Sequence, residues 1–286
     1  MTDLLPAVTD VDAVALHVED LTGMAAYYRE ALGLTTVTEG DGSVVLGRGR
    51  TAVVVLQHTP GLPRPARHQA GLFHTAVLFP TAADLAAAVL TASRHPRSQF
   101  VGSADHLVSN AFYFTDPEGN GIELYHDRDR SGWRWDGGQV AMDTIALDPR
   151  TYLEQHLTED ALSGITAARA KVGHVHLQVG DIDLARGFYV DTLGFETTFA
   201  MPSALFVSAG GYHHHLAVNT WNSRGAGPRA STLGLGEVTI TVPDREDLDA
   251  VSDRLRLAGF AVADDGATVR TQDPWLNSIA LTTQPA

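Results

Sequence analysis

The chain contains no cysteine. That absence excludes disulfides, thiolate metal sites and cysteine nucleophiles together, and it suits a reducing compartment. Positive charge is scarce as well: 20 Lys and Arg face 34 Asp and Glu, a formal net charge of −14. Nucleic-acid binders draw most of their affinity from neutralising phosphates, so that class is disfavoured, and so is attachment to an anionic membrane surface. No apolar run approaches the ~20 residues that a bilayer span requires. The opening MTDLLPAVTD lacks the basic and apolar regions of a signal peptide. A soluble, cytoplasmic protein is the expectation. What is present is ample: 286 residues, 44% of them hydrophobic, can bury a full core as two domains or one large one.

The sequence repeats itself, and a repeat decides the fold when there is one. VDAVALHVEDLTGMAAYYREALGL (11–34) aligns without a gap on VGHVHLQVGDIDLARGFYVDTLGF (172–195), matching Val18 to Val179, Asp20 to Asp181, Tyr28 to Tyr189 and Gly33 to Gly194. Each copy alternates apolar and polar residues as a half-buried strand does, then starts a helix at an acidic residue and ends it at Leu-Gly. A weaker pair, LFHTAVLFPTAADLAAAV (72–89) and GEVTITVPDREDLDAV (236–251), repeats strand, acidic turn and helix. Each runs on to an Asp-Pro turn and a final strand, TDPEGNGIELY (115–125) and QDPWLNSIALT (272–282). SVVLGRGRTAVVVLQH and SALFVSAGGYHHHLAVNTW read as strand-turn-strand with glycine at the reversals. Four units of one strand, one helix and about three more strands make an α+β protein with mostly antiparallel sheet. Residues 1–130 hold the first two units, 131–170 form a linker and 171–286 hold the last two.

The βαβββ unit ending in DPEGNGIELY resembles the vicinal oxygen chelate superfamily, which includes glyoxalase I, bleomycin-resistance proteins and extradiol catechol dioxygenases. The resemblance covers nearly the whole chain and implies cupped mixed sheets with metal ligands on the first and last strands of units. The superfamily's first-strand ligand lies seven residues before the strand-end acidic residue. Transferred to this sequence, that spacing falls on Ala13 from Asp20 and on His174 from Asp181. The matching positions in units two and four are His74 and Glu237, and the last-strand positions are Glu123 and Ala280. The resemblance therefore implies one working cup, made by units two and three, with His74, Glu123 and His174 as a two-histidine, one-carboxylate set of the kind that holds non-haem Fe(II). Mn(II) suits the same donors. His176 shares the strand face of His174 and competes with it. A lone histidine or glutamate on a strand is usually an ordinary surface or hydrogen-bonded residue; three on ligand positions outweigh that reading.

Ring-cleaving extradiol enzymes carry further groups around the metal, and two stretches resemble them. DHLVS (105–109) precedes Tyr113, ten residues before Glu123, and HHHLAV (213–218) falls on the last strand of unit three. With Leu216-Ala217 as register, His214 matches the acid-base histidine; strand alternation alone only separates it from His213 and His215. Tyr113 and His106 are the expected substrate-orienting partners. In the best-known extradiol enzymes the working pair is the last two of four units, so a site on the central units requires those units to pair. The resemblance thus implies an Fe(II)-dependent, catechol 2,3-type dioxygenase using a small aromatic substrate and O2. The alternatives are a glyoxalase-like lyase or isomerase and a non-catalytic resistance protein that binds a small molecule. Asn219, Trp221 and the 128–135 segment are candidates for contacts to ring substituents. A homodimer is the common assembly for a soluble enzyme of this size.

Overall fold

The computed structural model describes residues 4–283; Met1 to Asp3, within the segment searched above for a leader, lie outside the described residues. Unit one comprises β1 (Asp10–Val18), α1 (Leu21–Leu32), β2 (Thr35–Gly40), β3 (Ser43–Arg48) and β4 (Thr51–His58). Unit two comprises β5 (Gly71–Leu78), α2 (Ala82–Arg94), β6 (Gln99–Asp105), β7 (Ser109–Thr115) and β8 (Gly121–Asp127). The connecting segment holds three two-residue strands, β9 (Trp135–Asp136), β10 (Gln139–Val140) and β11 (Ile145–Ala146), and two short helices, α3 (Pro149–His156) and α4 (Glu159–Ser163). Unit three comprises β12 (Lys171–Gln178), α5 (Ile182–Arg186), β13 (Glu196–Met201), β14 (Ala204–Ser208) and β15 (Leu216–Asn219). Its helix continues as a π-helical stretch, Gly187–Thr192. Unit four comprises β16 (Gly234–Val242), α6 (Arg245–Leu257), β17 (Ala263–Asp264), β18 (Thr268–Gln272) and β19 (Ser278–Thr283). The expected α+β architecture of four βαβββ units in two mixed sheets is what the chain adopts.

Within every unit the first strand pairs in parallel with the last: β1 with β4, β5 with β8, β12 with β15 and β16 with β19. A parallel pair needs a crossover, and the unit's helix supplies it. Units then join through their first strands, antiparallel, β1 to β16 and β5 to β12. The result is an eight-stranded sheet from units one and four and a nine-stranded sheet from units two and three, with β11 added at its edge. The segments 1–130 and 171–286 each contribute one unit to either sheet.

The helices meet the cores through alternation. In GHVHLQ, Val175 and Leu177 are wholly buried in the apolar cluster while His174 and His176 point to the opposite face. Val77 of β5 and Ile122 and Leu124 of β8 join the same cluster, which also takes Leu85 and Val89 from α2. The sheet thereby keeps one face for packing and gathers its histidines on the other.

A second device ties unit one to unit two and unit three to unit four. In the Asp-Pro turn of unit two, Asp116 Oδ1 accepts from the backbone N–H groups of Glu118 and Asn120, each at 2.9 Å. Its Oδ2 accepts from the Asn120 side-chain amide at 2.8 Å and from the Tyr28 hydroxyl of α1 at 3.0 Å. Asp273 repeats this pattern with Trp275, Asn277 and the Tyr189 hydroxyl, all at 2.9 Å. The matched tyrosines of the repeat are therefore hydrogen-bond donors to buried carboxylates. Burial pushes the Asp116 pKa up, and only these donors oppose it. Replacing Tyr28 by Phe should lower the unfolding free energy by about 1.5–3 kcal/mol, the range for a hydrogen bond to a charged group. Urea denaturation followed by circular dichroism reads this directly, and a variant as stable as the parent would show that the tyrosine is only packing.

Candidate metal centre

β8, β5 and β12 lie side by side in the middle of the nine-stranded sheet. Ala76 of β5 is in register with Glu123 of β8 on one side and with His174 of β12 on the other. His74 lies two residues from Ala76, on the same face of the same strand. The alanine methyl leaves space among three longer side chains, whose ligand atoms all lie within 4.8 Å of one another. His74 Nε2 is 2.9 Å and His174 Nε2 is 3.2 Å from the same oxygen, Glu123 Oε2. All three residues are buried. Among the described residues they are the group of three that gathers in this way.

The donor set fits a divalent cation. Two imidazoles and one carboxylate on one side of a site leave its other side open, the arrangement associated with non-haem Fe(II). Only the His174 contact to Glu123 is aligned as a hydrogen bond. His74 Nε2, although close to the carboxylate, is a buried ring nitrogen with no hydrogen-bond partner. Burial works to raise the Glu123 carboxyl, but His174 and His74 beside it hold it well below the usual carboxylate range. Burial pushes His174 down to about 4 against the pull of Glu123. His174 is thus a neutral imidazole beside an ionised carboxylate, the protonation states that metal ligation requires.

Around the three donors lies a cavity of about 720 Å³. His176, opposite His74 in the strand register, also faces it, but its Nε2 accepts from the Asn219 amide at 2.9 Å. Tyr113 is in register with Glu123 across β7 and β8. Its hydroxyl lies 2.7 Å from His106 Nε2, and His106 Nδ1 donates to the Asp143 carbonyl at 2.8 Å. Burial, with Glu123 adding to it, pushes the Tyr113 hydroxyl well above its ordinary pKa, so it stays protonated.

The triple histidine is not part of a strand, contrary to the strand-turn-strand expectation. β14 ends at Ser208 and β15 begins at Leu216. Gly210 and Gly211 both have positive φ, and a Cβ at Gly210 would lie 2.1 Å from the Ala7 carbonyl. The chain turns there and the histidines follow in a loop, where alternation does not apply. His214 lines the cavity, its ring centroid 4.1 Å from that of His174. His213 is wholly buried behind it, with Nε2 2.9 Å from Asp127 Oδ1. His215 Nδ1 lies 3.0 Å from Ser208 Oγ, and its Nε2 is 3.7 Å from Asp10 Oδ1 near the other sheet. One histidine enters the cup and two brace it.

The remaining ligand-position residues lie on the other sheet: Ala13 on β1, Glu237 on β16, paired to Arg270 at 3.3 Å, and Ala280 on β19. Of the candidate substrate contacts, Trp221 lines the cavity, while Asn219 is turned to His176. The linker contributes Met142, Asp143 and Thr144 rather than the 128–135 segment, whose Trp133 packs beneath Tyr212 and His213. Asp127 and Tyr212 were not singled out by sequence, because their partners are more than eighty residues away.

Four βαβββ units in two sheets, one of them with donors on its units' first and last strands, define the class: the chain belongs to the Glyoxalase/Bleomycin resistance protein/Dioxygenase superfamily, whose profile matches residues 10–124 and 171–272. Catechol-2,3-dioxygenase of Bacillus subtilis (strain 168) is 36% identical over 272 residues, spanning 93% of this chain and 94% of that protein. A solved structure from Bacillus subtilis subsp. subtilis str. 168 superposes with a TM-score of 0.67 at 13% identity, over 99% of this chain and 87% of its own. Glyoxalase I from Zea mays gives 0.60 at 15%, over 96% and 92%. At such identities the two structures speak for the fold alone.

Exchanging Glu123 for Gln removes the charge and one anionic donor. Divalent-metal affinity should fall by more than the roughly 10–100-fold typical of losing a supporting residue around a site, measured by competition with a chelating dye. Undiminished affinity would remove Glu123 from the ligand set.

Proposed function

We propose that the protein is an Fe(II)-dependent extradiol dioxygenase that cleaves a catechol ring beside its hydroxyls, with His74, Glu123 and His174 holding the metal. The observation that carries this reading is the content of the cup beyond those donors. His214 stands on one side, and the hydrogen-bonded pair Tyr113 and His106 stands on the other. A single carboxylate serves the centre, and histidine chemistry surrounds it. The 36% identity to a catechol-2,3-dioxygenase over nearly the whole chain points the same way.

Bound Fe(II) would supply a redox-active centre with open positions at which a catechol and O2 can meet. The chain's own residues handle protons and orientation. His214, kept neutral because burial and the neighbouring rings drive it well below its ordinary pKa, takes a phenolic proton and returns it later in the cycle. Tyr113, held protonated, can turn its hydroxyl from His106 to a ring oxygen and fix the ring's orientation. Both oxygen atoms of O2 end in the ring-opened product, so no further reductant is needed.

The walls favour an apolar ring substituent. Leu72, Val101, Val108, Met142, Phe199 and Met201 line the cavity, and among the described residues no Lys or Arg does. Val101, Met201 and Trp221 are exposed at its rim, where an apolar group on the substrate would cover them. A carboxylate on the ring would meet Asp143 and no Lys or Arg side chain among the described residues. Protein reconstituted anaerobically with Fe(II) should take up oxygen and form yellow ring-opened products from 4-alkyl or 3-phenyl catechols. It should prefer them at least about tenfold in kcat/KM over 3,4-dihydroxybenzoate, the loss expected for desolvating an unpaired charge. His214→Phe should lower kcat by about 10²–10⁴-fold. Iron bound at one per chain with no oxygen uptake on any catechol would overturn the reading.

A further inference from the structure

We infer that Asp127 and His213 are positioning residues that hold His214 in one tautomer, with its proton on Nδ1 and the lone pair of Nε2 in the cup. The inference deepens the proposed acid-base role of His214 and rests on that role. One chain of hydrogen bonds fixes where each proton lies.

The chain starts at a carboxylate, which only accepts. Asp127 Oδ2 lies 2.9 Å from the Tyr212 hydroxyl and Oδ1 lies 2.9 Å from His213 Nε2. Tyr212 and His213 must therefore be the donors. With the Tyr212 proton committed, the 2.7 Å contact between Tyr125 and Tyr212 has Tyr125 as donor. With the His213 proton on Nε2, its Nδ1 carries a lone pair. That nitrogen lies 2.7 Å from His214 Nδ1, a distance that requires a proton between them. His214 must supply it, so its own proton sits on Nδ1. Nε2, at the far edge of the ring, is left as a base facing the cavity.

The rings are held so that this assignment cannot relax by rotation. His213 has no exposed surface, and its ring centroid is 4.1 Å from that of Tyr212 and 5.2 Å from that of Trp133. Its carbonyl accepts from Thr198 Oγ1 at 2.5 Å. The Arg130 guanidinium lies 4.9 Å above the Tyr212 ring. The glycine before the proposed ligand His174 is part of the same construction: a Cβ on Gly173 would lie 1.8 Å from the Tyr125 hydroxyl oxygen. That glycine makes room for the far end of the chain.

The rival arrangement is an imidazolium at His213, paired with Asp127 and donating from Nδ1. It would force the His214 proton onto Nε2 and present an acid instead of a base. Two-bond ¹H–¹⁵N correlation of [¹⁵N]histidine-labelled protein loaded with Zn(II), which is diamagnetic, separates the two. We expect His213 protonated on Nε2 alone and His214 protonated on Nδ1 alone. In His213→Phe, which fills the space without a nitrogen, the His214 proton should move wholly or partly to Nε2. In the Fe(II)-loaded variant kcat should fall about 10–100-fold, the range for a supporting residue, with iron content and KM within about twofold. In His213→Asn, whose side-chain oxygen takes the place of Nδ1 as acceptor, the Nδ1 tautomer and most of kcat should return. A parent protein with His214 protonated on Nε2 would overturn the inference. So would equal losses in the Phe and Asn variants. The tautomers are read without turnover: if the iron protein cleaves no catechol, the proposed reaction fails while the tautomer result stands on its own.

Discussion

The antiparallel seam between β5 and β12 is the constraint on which the site depends. Its register sets His174 beside Ala76 and His176 beside His74, and the parallel pairing of β5 to β8 brings Glu123 to Ala76 from the other side. A slip of one residue between β5 and β12 would turn Val175 and Leu177 to the cup and His174 and His176 into the apolar core. A slip between β5 and β8 would do the same with Ile122, Leu124 and Glu123. The cost of burying those rings unpaired and exposing those aliphatic side chains is what holds the register. Stability and site geometry are therefore set by the same alternation. The nearby Gly121 shows how close the packing is, since a Cβ there would meet the Phe73 carbonyl at 2.1 Å.

The second organising fact is a carboxylate taken out of water. Glu123 is buried beside His174 and His176, whose pKa values burial holds below the ordinary imidazole range. Left to itself, such a carboxylate would be protonated, because burial favours the uncharged form. His74 and His174 reverse that, and their nitrogens converge on one oxygen without satisfying each other fully. Polar groups gathered this way in a core are unfavourable for an isolated chain and favourable once a cation supplies the missing charge. The charge that would attract a cation and the cost of burying it have the same origin here.

Much of this was legible in the sequence, for identifiable reasons. The ungapped match of 11–34 to 172–195 and the two Asp-Pro turns marked four units because each feature is local. The matched tyrosines proved to be partners of those turns. His74, Glu123 and His174 were found because ligand positions recur at fixed places in a repeated unit, and the structure brings them together. The loop conformation of His213 to His215 was misjudged because HHHLAV leads straight into a real strand. The signal against it was Gly210-Gly211, a pair that adopts positive φ and ends the preceding strand. Asp127 went unremarked because HDRDR reads as a solvated charge run. Only the fold brings it to a histidine 86 residues away.

The two sheets also explain why one cup carries the donors and the other does not. Both are built from the same units joined through the same first strands, so geometry alone would allow a centre in each. In the eight-stranded sheet the equivalent positions hold Ala13 and Ala280, and the remaining carboxylate, Glu237, is half-buried and paired at 3.3 Å with Arg270, which also holds Asp265. Filling a cup with an ion pair from its own strands removes both the charge that attracts a cation and the ligand count needed to hold one. The nine-stranded cup keeps its carboxylate free of any such cation, with His74 and His174 as its neighbours. The repeated architecture thus gathers one two-histidine, one-carboxylate donor set, on the nine-stranded sheet.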